Sequence, residues 1–312
     1  MKALNSNCKQ KGPSTICHLN TMMQFPCIIY ILITLGSTDG FSASSNTNTI
    51  YLPEIHDDHD IQKKKLDGKI PIRSRNVPID TEEISKITIW EIEDPSELMG
   101  LWWASDLDSS SLVKRDKIKD PFGIINWPGS TLCGKEMVKY RDQIQNKTVL
   151  SLGAGTGVES QIAAMLGAKK VIAIDISNLT LKLLMFGAKE AGVDHIISPL
   201  QFDLFSDESL PECDVLLAAD VLYNPELAMQ VGKRVLEVLC REEPVKCIIT
   251  DSQRFHGTDF VPIINKALQG KFEIEWNEYE LKGFRGSGIM SADDQTYDVR
   301  TRMISFGFES KN

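Results

Sequence analysis

Thr148-Val149-Leu150-Ser151-Leu152-Gly153-Ala154-Gly155-Thr156-Gly157 is the stretch from which the rest of the chain is read. A short β-branched and aliphatic run ends in three glycines, and the apolar segment Ile162-Ala163-Ala164-Met165-Leu166 follows at a helix-compatible spacing. The order is strand, tight glycine turn, helix. Glycine permits the sharp bend and lets a ligand approach the main chain closely. The helix start then offers unpaired N–H groups. Eighteen residues beyond Gly157 a second apolar run, Val171-Ile172-Ala173-Ile174, ends in Asp175. A carboxylate there can accept both hydroxyls of a ribose. A nucleoside-bearing cofactor is therefore expected.

Outward from this unit, strand candidates recur at 170–174, 196–201, 213–219, 246–250, 272–281 and 299–308. Helical patterns lie at about 130–143, 157–167, 179–192, 225–240 and 258–269. Strand and helix alternate through the first five strands, which predicts a parallel, doubly wound sheet. The last two strands are joined only by Lys282–Asp298, rich in Gly, Ser and Asp, which suggests an antiparallel hairpin. The fold class is thus α/β, Rossmann-like and doubly wound, with a mostly parallel seven-stranded sheet that closes in a C-terminal hairpin. Upstream, Ile87-Thr88-Ile89-Trp90-Glu91-Ile92 alternates like a strand, and Leu101-Trp102-Trp103 leads into a loop ending at Asp120-Pro121-Phe122.

Three stretches of chain are expected. Residues 1–50 read as a targeting leader, 51–85 as a linker or flexible extension, and 86–312 as the catalytic domain. Phe25 to Leu35 is apolar but too short for a span of about 20 residues, and it fits the apolar region of a signal peptide. Met22 and Met23 are alternative starts, and the hydroxyl-rich tract after Gly40-Phe41 contains no acid. This resembles the bipartite plastid-targeting leaders of algae with secondary plastids. The resemblance implies a plastid protein, with mitochondrial, secretory or membrane-anchored placement as the alternatives. Lys63-Lys64-Lys65 reads as a solvated run.

The chain of 312 residues has a net charge of −9, and its first 50 residues are basic, so the body is the acidic part. An acidic body disfavours long phosphate backbones as partners. Seven cysteines are scattered without a C-x-x-C pair, so neither a zinc site nor a disulfide framework is indicated.

The glycines are spaced more tightly than a dinucleotide fingerprint requires. Gly153-x-Gly155-x-Gly157 followed by Asp175 resembles motif I of class I S-adenosylmethionine-dependent methyltransferases. Asp220-x-x-Tyr223 at the end of the fourth strand, and Trp127-Pro128-Gly129 before the first, resemble the seven-strand protein-lysine methyltransferases. Trp102-Trp103 and Phe122 to Gly129 are most similar to the branch acting on the electron transfer flavoprotein β subunit. The resemblance covers about residues 85–310.

It implies S-adenosylmethionine as cofactor, held by Trp127, Gly153, Ala154, Gly155, Gly157, Asp175, Asp203, Leu204 and Ala219. In that family Asp203 would contact the adenine, Leu204 would give it an apolar wall, and Ala219 would let the ligand near its backbone. Asp220 and Tyr223 would be the catalytic residues, orienting a lysine amine and walling its channel. No metal is expected. The implied partner is a lysine-bearing protein, met by a monomer, with no nucleic acid and no membrane for the mature protein. Arg254-Phe255-His256 would face the substrate mouth.

One position departs from the family pattern. Ser151 stands where relatives carry an acid near the cofactor's amino group, and Glu159 is the nearby acid that could substitute. A small-molecule, nicotinamide-like N-methyltransferase and a non-catalytic cofactor-binding scaffold are the alternative functions. A nicotinamide dehydrogenase is disfavoured by the glycine spacing.

Overall fold

The apolar runs expected to form the sheet do so in the computed structural model, which describes residues 47–52, 61–96, 98–99, 120–243, 245–252, 260–268, 273–287 and 294–309. The strands are β1 (Asn48–Tyr51), β2 (Lys63–Leu66), β3 (Ile70–Pro78), β4 (Lys86–Ile92), β5 (Thr148–Leu152), β6 (Lys170–Asp175), β7 (Ile197–Gln201), β8 (Val215–Ala219), β9 (Lys246–Asp251), β10 (Asn277–Ser287) and β11 (Asp294–Phe306). The helices are α1 (Pro128–Lys139), α2 (Arg141–Ile144), α3 (Val158–Met165), α4 (Asn178–Glu190), α5 (Pro225–Leu239) and α6 (Phe260–Leu268), with a 3₁₀ turn at Pro121–Ile124. Residues 1–46 of the expected leader, Leu101-Trp102-Trp103 and Arg254-Phe255-His256 lie outside the described residues, whereas its last residues are folded as part of β1.

The main sheet runs β1-β10-β11-β9-β8-β5-β6-β7. Strands β5 to β9 are mutually parallel where they pair, and β11 is antiparallel to both β9 and β10. The sheet is therefore the expected seven strands, with β1 added in parallel at the β10 edge. The chain moves outward from β5 to β6 and β7, then returns to the other side of β5 as β8. That reversal is a topological switch point, and in open α/β sheets ligands bind at such points beyond the strand carboxyl ends.

Residues that alternate along β5 feed two cores. Val149 packs with Leu132, Met137, Val158, Ile162 and Leu184 of α1, α3 and α4. Leu150 and Leu152 pack with Val231, Val235, Phe260 and Ile264 of α5 and α6. Both sheet faces are covered, which is why the parallel strands read as continuous apolar runs rather than alternating ones.

The hairpin strands reach further into Lys282–Asp298 than the loop-like composition suggested, to Ser287 and from Asp294. A register shift between Leu281 and Phe284 absorbs Gly283, whose φ of 67° suits glycine, and the Gly283 amide donates to Asp298 Oδ1 at 3.0 Å.

Part of the stretch read as a linker is folded: β3 pairs antiparallel with β2 on one side and with β4 on the other in a separate three-stranded sheet. The lysine run is β2 itself, and Lys64 Nζ lies 4.8 Å from the Trp90 ring centroid and 3.0 Å from Glu190 Oε2. A polar strand of this kind is stabilised by its neighbours, since Ile72, Trp90 and Ile92 pack with Ile124, Ile125 and Leu183. Arg75 donates to Glu91 Oε2 at 2.7 Å and to Asp294 Oδ1 at 2.6 Å. Glu91 Oε1 accepts the Asn126 amide at 2.7 Å. The small sheet thus fixes the segment that leads into α1. Among the described residues no helix is long and apolar enough to cross a membrane.

Candidate active site

At the switch point a cavity opens whose walls come from five separate parts of the chain. The segment 120–130 supplies Asp120, Phe122, Gly123, Ile125, Trp127 and Ser130. The β5 turn supplies Gly153, Gly155 and Thr156, and the end of β6 supplies Asp175 and Ile176. The turn after β7 supplies Phe202 to Phe205, and the end of β8 supplies Ala219 to Val221, followed by Tyr223, Asn224 and Leu227.

The glycines of the turn serve different ends. Gly153 has φ 63°, and a Cβ there would lie 2.6 Å from Val221 Cγ1. Gly155 has φ 53° but ample space, with 3.7 Å to the nearest atom outside its own turn, so its bare backbone faces the cavity. Gly157 does not line the cavity; it has φ 87° and sits against Leu184 Cγ, 2.5 Å from where a Cβ would be. Ala154 also lies behind the wall, where its amide donates to the Ile174 carbonyl at 2.9 Å. Two of the residues expected to contact a cofactor are therefore supports of the turn rather than its surface.

Asp175 is held by backbone. Its Oδ2 accepts the Gly155 amide at 3.1 Å and its Oδ1 accepts the Ser177 amide at 2.9 Å. Burial pushes its carboxyl up to about 6, opposed by these amides and reinforced by the nearby charge of Asp120. Asp203 is exposed and caps its own turn by accepting the Phe205 amide at 2.9 Å. Leu204 is half-buried, and its carbonyl accepts from Gln230 Nε2 at 2.6 Å and Arg234 Nε at 2.9 Å. Phe205 stands at the rim with 55% of its surface exposed.

Trp127 is half-buried, and its indole N–H donates to the Phe122 carbonyl at 2.7 Å, which fixes the ring in the wall. Pro128 then opens α1, as proline favours the first helical position. Gly123 brings the 3₁₀ turn against the glycine turn: a Cβ on it would lie 3.3 Å from Gly155 Cα and 2.8 Å from Thr180 Cγ2.

Asp220 has a left-handed backbone, φ 54°, uncommon for a residue with a side chain. Its carboxylate is clamped on both oxygens: the Gly129 amide donates to Oδ2 at 2.5 Å and the Ser252 amide to Oδ1 at 2.6 Å. It thereby caps the N-terminus of α1 from a different strand. Tyr223 is half-buried, its ring centroid 5.1 Å from that of Phe122, and its hydroxyl donates to Asp120 Oδ2. Asp120, Gly123, Ser130, Thr156 and Phe205 were not singled out by the sequence. Asp120 could not be, because its partner Tyr223 is 103 residues away.

The residues present suit S-adenosylmethionine. Two left-handed glycines leave bare main chain on the floor, where side chains would fill the space. Asp175 offers two acceptor oxygens for a ribose diol beside that floor. Phe202, Leu204 and Phe205 offer an apolar flank for a base, and Trp127 and Tyr223 offer aromatic faces that tolerate a cation. Among the described residues no group of three or more His, Cys, Asp or Glu side chains could hold a metal ion.

A family model described as lysine methyltransferase matches residues 82–267, more than half of the chain. The electron transfer flavoprotein beta subunit lysine methyltransferase of Rattus norvegicus is 26% identical over 109 residues, covering 35% of this chain and 42% of that protein. The Homo sapiens protein of the same name is 25% identical over 109 residues, with 35% and 41% covered. The chain therefore spans less than half the length of these curated relatives. Among solved structures, a dimethyladenosine transferase from Plasmodium falciparum aligns at TM-score 0.39 and 16% identity, covering 58% of this chain and 63% of that one. The family match spans the glycine turn, Asp175, the Trp127 segment and Asp220-x-x-Tyr223 together, and the chain belongs to the lysine methyltransferase family.

Proposed function

We propose that this chain is an S-adenosylmethionine-dependent N-methyltransferase that modifies a lysine side chain of a protein. The observation that carries the reading is the convergence of Gly155, Asp175, Trp127, Asp220 and Tyr223 on one cavity at the switch point. Gly153, Gly155 and Asp175 would hold the nucleoside, with Asp203 and Leu204 at the base and Trp127 and Ala219 beside the amino-acid part. When bound, the cofactor supplies an electrophilic methyl group on a cationic sulfur.

The chain's own task is to prepare the amine. A lysine with a pKa of about 10.4 costs about 4–5 kcal/mol to deprotonate at pH 7. An apolar channel lowers that cost by disfavouring the ammonium. Asp220 is fixed by two amides at the edge of the cavity, so its carboxylate can orient an amine N–H without moving. The Tyr223 hydroxyl spends its proton on Asp120, which leaves its oxygen free to accept a second amine N–H. Two acceptors fixed in this way align the nitrogen lone pair, and orientation is a large part of what such a reaction needs. The amine proton leaves to solvent.

Incubating the full chain with labelled cofactor and lysine-bearing proteins tests this. The electron transfer flavoprotein β subunit, after which the rat and human relatives are named, is the first substrate to try. Methyl-lysine found by peptide mass spectrometry, and formed more slowly by both Asp220→Asn and Tyr223→Phe, is the expected result. Full turnover in both variants would overturn the residue roles.

A further inference from the structure

Beneath the glycine turn lies an acid that the mechanism above does not use. Glu159 sits in the first turn of α3 and is 1% exposed. Its Oε1 accepts the hydroxyl of Ser151, itself fully buried in β5, at 3.0 Å. Its Oε2 has no hydrogen-bond partner of good geometry among the described residues. The hydroxyl of Ser130 lies close enough to favour the charged form, and Ser130 is part of the cavity wall. The three side chains form a path from the sheet to the cavity.

No cation faces this carboxyl among the described residues. The ionisable groups that act on it are Asp175 at the end of β6, which adds repulsion, and Cys133 on α1, a thiol that burial keeps protonated. From β4, Glu91 is already paired with Arg75. Burial pushes Glu159 up to about 7, against the opposing effect of its own amide and the Ser151 and Ser130 hydroxyls. A buried carboxylate without a cation is costly, so the site is incomplete as it stands.

Position says which cation would complete it. Asp175 and the residues 202–205 place ribose and base toward β6 and β7. The amino-acid end must then cross the bare glycine floor in the opposite direction, toward Ser130 at the start of α1. We propose that Glu159, acting through the Ser130 hydroxyl, is the counter-ion for the α-ammonium group of the cofactor, and that its proton is released to solvent when the cofactor binds. Ser130 accepts from the ammonium and donates to the Glu159 carboxylate. This inference rests on the cofactor reading above.

The test compares two ligands of the full chain by calorimetry at pH 6 and pH 8. S-adenosylhomocysteine carries the ammonium, and methylthioadenosine carries the same nucleoside without it. Asp175 acts on both alike, so their difference isolates Glu159. S-adenosylhomocysteine should gain about tenfold in affinity over methylthioadenosine between the two pH values, the gain that a carboxyl near pH 7 allows. Proton release, read from buffers of different ionisation enthalpy, should be greater for the first ligand than for the second. Glu159→Gln should abolish that extra gain and leave methylthioadenosine binding unchanged, and Ser151→Asp combined with Glu159→Gln should restore affinity. Equal pH dependence of the two ligands in the unaltered protein would overturn the proposal. Binding of neither ligand would instead overturn the cofactor reading on which it stands.

Discussion

The Gly129 amide donates to Asp220 Oδ2 at 2.5 Å across 91 residues of chain, tying the start of α1 to the end of β8. The Thr250 hydroxyl donates to the Gly129 carbonyl at 2.8 Å, so the same glycine is held on both sides. A Cβ on Gly129 would lie 2.6 Å from that carboxylate oxygen. The carboxylate cannot yield easily, since Ser252 pins its other oxygen. Gly129→Ala should therefore displace Asp220, with a stability cost of about 1–3 kcal/mol and a loss of turnover of at least about tenfold. Thermal unfolding beside a methyl-transfer assay measures both.

Asp220→Asn and Tyr223→Phe should differ in kind. An amide at position 220 must turn its NH2 toward either the Gly129 or the Ser252 amide, leaving a buried N–H unpaired at a cost of about 1–3 kcal/mol. Tyr223→Phe loses one hydroxyl from a half-buried ring that still packs on Phe122. Asp220→Asn should lower both melting temperature and turnover; Tyr223→Phe should lower turnover by about 10–100-fold, the worth of one charge-assisted hydrogen bond, with the melting temperature nearly unchanged.

The glycines of the turn separate support from surface. Gly157→Ala combines a φ of 87° with contact against Leu184 Cγ and should destabilise by about 2 kcal/mol or more. Gly155→Ala meets no close atom and carries only the left-handed penalty of about 1 kcal/mol, yet its methyl group would enter the cavity. Melting curves and S-adenosylhomocysteine titrations of the two variants should show stability lost mainly in the first and affinity mainly in the second.

Two buried acids set the pH dependence of the ligand-free protein. Glu159 rises from 4.5 to about 7 and Asp175 from 3.8 to about 6, in both cases chiefly through burial. A raised carboxyl binds its proton more tightly folded than unfolded, so its contribution is complete below the unfolded value and lost as pH rises through the folded one. For Glu159 the loss lies between pH 4.5 and about 7 and amounts to about 3 kcal/mol. Glu159→Gln cannot ionise, so its melting temperature relative to the unaltered protein should rise from pH 5 to about pH 7 and level off above it. A constant difference would remove the buried charge as the cause.

What the sequence made legible was what is contiguous. Val149 to Gly157 and the run into Asp175 each carry their signals within a few residues, and the structure forms the expected strands and the turn between strand and helix there. Asp220 and Tyr223 were visible through their spacing, but the amides of Gly129 and Ser252 that clamp Asp220 lie far off in the chain. Strands β2 and β3 escaped because their lysines and arginines look like a solvated extension. Only pairing with β4 turns Arg75 into the buried partner of Glu91 and Asp294. Ala154 and Gly157 sit in the motif but behind the wall, because a motif records which residues the turn needs and not which of them face the ligand.

The most direct test of the central claim is a calorimetric titration of the full chain with S-adenosylmethionine and, separately, with NAD, followed by the tighter ligand on Asp175→Ala. Micromolar S-adenosylmethionine binding, absent for NAD and abolished in the variant, is the predicted result. Failure to bind S-adenosylmethionine, or binding that survives Asp175→Ala unchanged, would contradict the assignment of this cavity as the cofactor site.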